Sequence, residues 1–178
     1  MSLEVDLKDI EKAKRLLELC PLQLELAQAA AMNRAILGGR TALSKGIREQ
    51  YIIPASTVKG KMTMKKARGG LLHASLTVKG SPIDLMKFRT RISKHGVFAQ
   101  VKRGGGGSLP HSFFVGTGRA GIYHRASESR LPIQREFGPS VPQMAGETHV
   151  SESVSDRMKE VMETRLPHEI SVRLERLI

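Results

Sequence analysis

The side chains able to do acid–base, nucleophilic or metal chemistry are few and scattered. Six histidines, His73, His95, His111, His124, His149 and His168, show neither an i,i+4 pair on a helical stretch nor the spacing of a zinc motif. His73 and His124 fall in strand-like alternation, where an exposed or hydrogen-bonded structural histidine is the ordinary role. Asp84 and Glu128 are the only acids between Tyr51 and Arg135. A two-carboxylate site would need them to converge, yet Asp84 follows a Pro turn and Glu128 sits in a Ser-rich loop. Salt bridges to nearby arginines are the expected role. The single cysteine, Cys20, lies among Leu16, Leu17, Leu19 and Leu22 and reads as a buried, inert thiol. It excludes an intramolecular disulfide and a Cys-based zinc site. No GxSxG, Walker A or strand-linked GxGxxG is present. The residues offer no catalytic centre, cofactor or metal.

Cations are the abundant chemistry. The chain carries a net charge of +12, and Tyr51–Arg135 holds 16 Lys and Arg against two acids. The flanking stretches nearly cancel, at +1 for residues 1–50 and −3 for residues 136–178. So concentrated a charge repels itself unless an anion or an acidic partner answers it, although charge also serves solubility. A pI near 10.3 points the same way, to nucleic acid, an acidic protein or an anionic surface. No apolar run approaches the ~20 residues that span a bilayer. Glu4, Asp6, Lys8 and Asp9 interrupt anything like a signal peptide. A soluble protein made in a reducing compartment is expected.

These cations need elements to hold them. Residues 5–19 repeat apolar positions at helical spacing, and a second stripe through Leu22, Leu26, Ala29, Ile36, Leu43 and Ile47 extends helix to about Gln50. Pro21 is a break or a first-turn residue between the two, and Gly38-Gly39 is a weak point where a bend is expected. Ile52-Ile53-Pro54 ends the helix. Met62 and Met64, then Leu72, Ala74, Leu76 and Val78, then Val97, Ala99 and Val101 alternate with polar residues. Period two with one apolar side means an antiparallel sheet with one buried face. The fold class is α+β: a long N-terminal helix packed on an antiparallel β-sheet, with a C-terminal amphipathic helix. Residues 1–178 are read as one domain, with a helical arm (1–50), a basic sheet (51–135) and a Pro-rich segment plus helix (136–178). Arg103 to Ser108, with four glycines, is a flexible loop tip. Arg130 to Met144, with three prolines, is expected to be irregular and to lie against something. Thr148 is the expected N-cap of the last helix, whose stripe runs through Val150, Val154, Met158 and Val161 to Ile178. Pro167 is expected to break or restart that helix.

Two stretches carry a resemblance. One runs from Tyr51-Ile-Ile53 through Val58-Lys59, Met62 to Ala67, Leu72-His-Ala-Ser-Leu76 and Gly80-Ser-Pro-Ile83 to Leu85-Met-Lys-Phe88. The other is Arg130-Leu-Pro-Ile133 followed by Gly138-Pro-Ser-Val-Pro-Gln-Met144. Together they resemble the minor tail protein Z family of tailed phages and prophages, also called tail completion proteins. The resemblance implies a structural, non-enzymatic virion protein at the head-proximal end of a siphophage tail, assembled in the host cytoplasm. It implies a tail terminator and other tail and neck proteins as partners, and a homo-oligomeric ring, often six-fold in related neck proteins. Such a ring gives Lys59, Lys61, Lys65, Lys66, Arg68, Lys79, Lys102 and Arg103 a purpose, lining a DNA lumen or meeting an acidic tail surface. Leu131, Ile133, Phe137, Val141 and Met144 are expected at an intersubunit contact, because prolines stiffen their segment. The competing reading is a monomeric basic module that grips nucleic acid through phosphates. An aromatic fraction of 4% argues against extensive base stacking, with Phe98, Phe113 or Phe114, and Tyr123 as the only candidates.

Overall fold

The computed structural model describes the backbone of residues 7–94 and 96–176, and side chains from Cys20 onward. The Leu7, Ile10 and Leu17 stripe, His95 and the terminal Leu177-Ile178 therefore lie outside the described side chains. The order of elements is α1 (Leu7–Gln50), α2 (Ala55–Lys59), β1 (Met62–Lys65), β2 (Ser75–Val78), β3 (Ile83–Asp84), β4 (Arg89–Ser93), β5 (Gly96–Gln100) and β6 (Gly107–Leu109). Then follow β7 (Ser112–Val115), β8 (Gly121–Arg125), β9 (Ile133–Arg135), β10 (Phe137–Gly138), α3 (Val141–Ala145) and α4 (Thr148–Glu175). The fold is α+β.

Two compact units form. The first comprises the chain up to Gly39, Met64–Leu76, and the chain from Asp156. Its helical parts approach closely because Gly38 has no side chain: a Cβ there would lie 3.1 Å from Val161 Cγ2. Ala27, Ala29, Ala31, Ala35 and Ile36 are buried along α1, the small residues permitting close approach. Segment 64–76 is strapped on by Asn33, whose Nδ2 donates to the Ala67 carbonyl at 2.9 Å while its Oδ1 accepts from Ala67 N–H at 2.8 Å. One amide side chain thus supplies both partners a neighbouring backbone would. Arg34 Nε meets Glu169 Oε1 at 2.7 Å, joining residues from α1 and α4.

The second unit comprises Arg40–Thr63 and Thr77–Ser155. Its core includes Leu43, Ile47, Tyr51, Val58, Ile83, Leu85, Phe88, Val97, Ile122, Val141, Met144 and Val150. Gly46 of α1 lets Val150 of α4 pack close, with Cγ1 3.4 Å from where a Cβ would sit. Strands of two to five residues are interrupted by glycine and proline turns, so the single expected sheet divides into four: β1–β2, β3–β10, β4–β5–β6 and β7–β8–β9. In β3–β10, β4–β5–β6 and β7–β8–β9 every pairing is antiparallel. The alternation in β5 is as expected, with Val97 and Ala99 buried and Phe98 exposed.

Four local expectations are corrected. Helix α1 runs through Pro21, and α4 runs through Pro167, without ending at either. A proline removes one helical hydrogen bond and strains one turn, which a long, packed helix tolerates. Helix α1 is also continuous across the Gly38-Gly39 weak point. Arg130 to Met144 holds regular structure after all, namely β9, β10 and α3, after a cis Leu131–Pro132 peptide. Helix α4 already includes Thr148, and the Glu147 carbonyl accepts from Val150 and Ser151 N–H, so the cap lies one residue earlier.

Candidate functional site

All eight singled-out cations are exposed, but they are not equivalent. In the second unit, Lys59 stands in the last turn of α2 and Lys61 follows the Gly60 cap. Lys79 N–H donates to the Lys61 carbonyl at 3.0 Å, and the Lys61 stem runs alongside Gly80. The backbone thus brings Lys59, Lys61 and Lys79 together, and none has an ion-pair partner among the described residues. In the first unit, Lys65, Lys66 and Arg68 lead into a small Arg68–Leu71 bridge, closed by reciprocal hydrogen bonds of 3.0 and 3.1 Å. Glu25 Oε2 accepts from Gly70 N–H there.

Lys102 and Arg103 are already engaged. Lys102 Nζ lies 2.8 Å from Glu147 Oε1 and 5.1 Å from the centroid of the Tyr51 ring. Tyr51 O–H donates to the same carboxylate oxygen at 2.5 Å. Two donors on one oxygen, the Lys102 ammonium foremost, hold the Glu147 carboxyl below its ordinary range. Burial, and then its bond to Glu147, push Tyr51 up, while the Glu147 carboxylate raises Lys102. Arg103 Nε donates to the Arg48 carbonyl and its N–H to the Gln50 carbonyl, fastening the chain to the end of α1. These two residues are structural clamps first. Nothing in the sequence could signal the Tyr51–Lys102–Glu147 cluster, because its members come from three distant stretches.

The proline-rich segment divides sharply. Leu131 is 68% exposed and Phe137 52%, whereas Val141 and Met144 are fully buried and Ile133 is intermediate. Val141 and Met144 therefore present no surface to a neighbour. The stretch Gly138-Pro-Ser-Val-Pro-Gln-Met144 is instead a folding device. Ser140 caps α3, its Oγ accepting from Gln143 N–H at 3.4 Å while Gln143 Oε1 accepts from Ser140 N–H at 2.9 Å. Gly138 pairs with Ile83 across β3–β10 and lies flat against Phe88: a Cβ would fall 2.4 Å from Phe88 Cε2. Arg135 pairs with Asp84, donates to the Ala120 carbonyl at 2.6 Å, and sits 5.9 Å from the Tyr123 ring and 6.0 Å from that of Phe137. Asp84 thus takes the salt-bridging role expected of it.

Among the described residues no group of three His, Cys, Asp or Glu side chains converges on a point. His124 Nδ1 faces Glu136 Oε1 at 2.8 Å. No helix among them is long and apolar enough to cross a membrane. Residues 7–178 match the profile of the family described as Prophage minor tail protein Z (GPZ). Neither the curated proteins nor the solved structures contain a significant match.

Proposed function

The chain belongs to the prophage minor tail protein Z family, structural proteins of phage tails, and on that premise we propose that it completes the head-proximal end of the tail. In this reading it works with a tail terminator during head–tail joining, as a homo-oligomeric ring acting as one tail-completion domain. The observation that carries the reading is the family match across nearly the whole chain. The surface is compatible with assembly. Leu131 and Phe137 are large apolar side chains left in solvent, and such residues favour a protein partner when they cluster. The free lysines Lys59, Lys61 and Lys79 suit DNA phosphates or an acidic tail surface by charge.

Deleting the gene from an inducible prophage tests this. Tails of normal length that fail to join filled heads, rescued by the gene in trans, are expected. Joined, infectious particles in the deletion strain would overturn the proposal. Phe137→Asp should fold normally yet fail to rescue.

A further inference from the structure

The β4–β5 hairpin carries a surface that neither the clamps nor the lysine cluster explains. From Leu85 to Ser127 the chain contains no carboxylate. Lys87, Arg89, Arg91 and Lys94 follow one another along this stretch, all exposed and none in an ion pair with a described residue. The antiparallel register sets Arg91 opposite Phe98 and Arg89 opposite Gln100, with Ser108 of β6 on the far side of Phe98. Directly opposed residues share a face, so Arg89, Arg91, Phe98, Gln100 and Ser108 form one face. Val97 and Ala99 point the other way, into the core. Phe98 is 42% exposed, and Gly106 lies against its tip, where a Cβ would lie 2.8 Å from the ring's Cζ and 3.3 Å from Gln100 Cβ. The glycine loop braces the tip of the ring without enclosing it.

We propose that this face binds single-stranded nucleic acid, one base stacking on Phe98 while Arg89 and Arg91 hold phosphates of the same strand. Alternate residues on a strand stand about 6.7 Å apart, so the two guanidiniums reach different phosphates. Aromatic stacking accepts any base, because every base has a π-face, and the arginines track the backbone. A duplex keeps its bases stacked on one another and offers Phe98 nothing to stack on. A single strand satisfies both the ring and the charge. The low aromatic content does not oppose this, because one correctly framed ring is enough for one base.

The test uses the isolated full chain and a fluorescein-labelled twelve-nucleotide oligothymidylate, read by anisotropy at about 50 and 200 mM salt. Binding that weakens steeply with salt is expected. Phe98→Leu should weaken it about tenfold with the salt dependence kept. Arg89→Gln/Arg91→Gln should weaken it and flatten the salt dependence by about two phosphate contacts. Lys59→Gln/Lys61→Gln, the same change of charge elsewhere, should have a smaller effect. Circular dichroism confirms that each variant folds. The proposal is overturned by absence of binding, by tighter binding to a duplex of equal length, by an unchanged affinity in Phe98→Leu, or by equal losses in the two double variants. Displacement of the oligonucleotide by polyglutamate at equal charge concentration would assign the face to an acidic peptide instead, and also overturns it.

Discussion

Replacing Gly138 by Ala puts one methyl group where the structure has no room for it. The new Cβ would lie 2.4 Å from Phe88 Cε2 and 2.9 Å from Cζ. Carbon atoms prefer roughly 3.5–4.0 Å, so the ring or the β3–β10 pair must retreat by about 1 Å. Phe88 is buried, with core neighbours that resist such a shift. Overpacking of this kind costs about 1–3 kcal/mol. Alanine lowers the entropy of the unfolded chain, which offsets about 0.4–1 kcal/mol. The net expectation is a loss of about 1–2 kcal/mol, or about 2–8 °C in Tm for a chain of this size. Thermal and urea unfolding followed by circular dichroism measure it. The decisive variant is Phe88→Leu/Gly138→Ala, because leucine lacks the ring atoms that clash. In that background the alanine should be neutral or slightly stabilising, giving a coupling of about 1–2 kcal/mol between the two sites. Additive losses would refute the assignment of Gly138 to ring packing, as would a stabilised single variant.

The other expectations follow from the same geometry. Val141→Asp places a carboxylate without a partner at a fully buried position and should unfold the protein or lower its stability by about 3 kcal/mol or more, whereas Phe137→Asp should leave Tm within about 2 °C. Ser140→Ala removes the α3 cap and should cost about 1 kcal/mol, read as a Tm loss of about 2–4 °C. Glu147 has a folded pKa below its unfolded value, so its contribution is present above about pH 4.3 and is lost as pH falls through the folded value. Tyr51 and Lys102 have raised values, so theirs is present below their ordinary values near pH 10 and is lost as pH rises through the folded ones. Glu147→Gln should reduce the dependence of Tm on pH at both extremes, and a pH profile parallel to that of the parent protein would contradict the clamp. Asn33→Ala breaks both bonds to Ala67 and should sharply increase proteolysis within residues 64–76.

Local periodicity was legible where one rule governed each residue. The alternation of Val97, Phe98 and Ala99 gave the buried and exposed faces of β5, and of the stripe Leu22, Leu26, Ala29, Ile36, Leu43 and Ile47 the last four lie buried along α1, while Leu22 is exposed and Leu26 intermediate. Proline and glycine punctuation is ambiguous out of context. Pro21 and Pro167 look like helix ends in isolation, but packing decides, and Gly38, a weak point by propensity alone, lets Val161 approach. Arg130 to Met144 reads as irregular because three prolines exclude a long element. They are compatible with short ones: Pro132 precedes β9, Pro139 precedes the cap, and Pro142 falls in the first turn of α3. The role of Gly138 depends on Phe88, fifty residues earlier, and no local pattern links them. Charge is readable segment by segment but not residue by residue. Lys102 and Arg103 looked as free as Lys59 and Lys61, yet Glu147 and the end of α1 hold them.

Antibody-gold labelling of particles induced from the source prophage, viewed by electron microscopy, tests the placement of this protein in the tail most directly. Label confined to the junction of head and tail, about one cluster per particle, is the predicted result. Intact particles without label there, under an antibody that recognises the native protein, would contradict it.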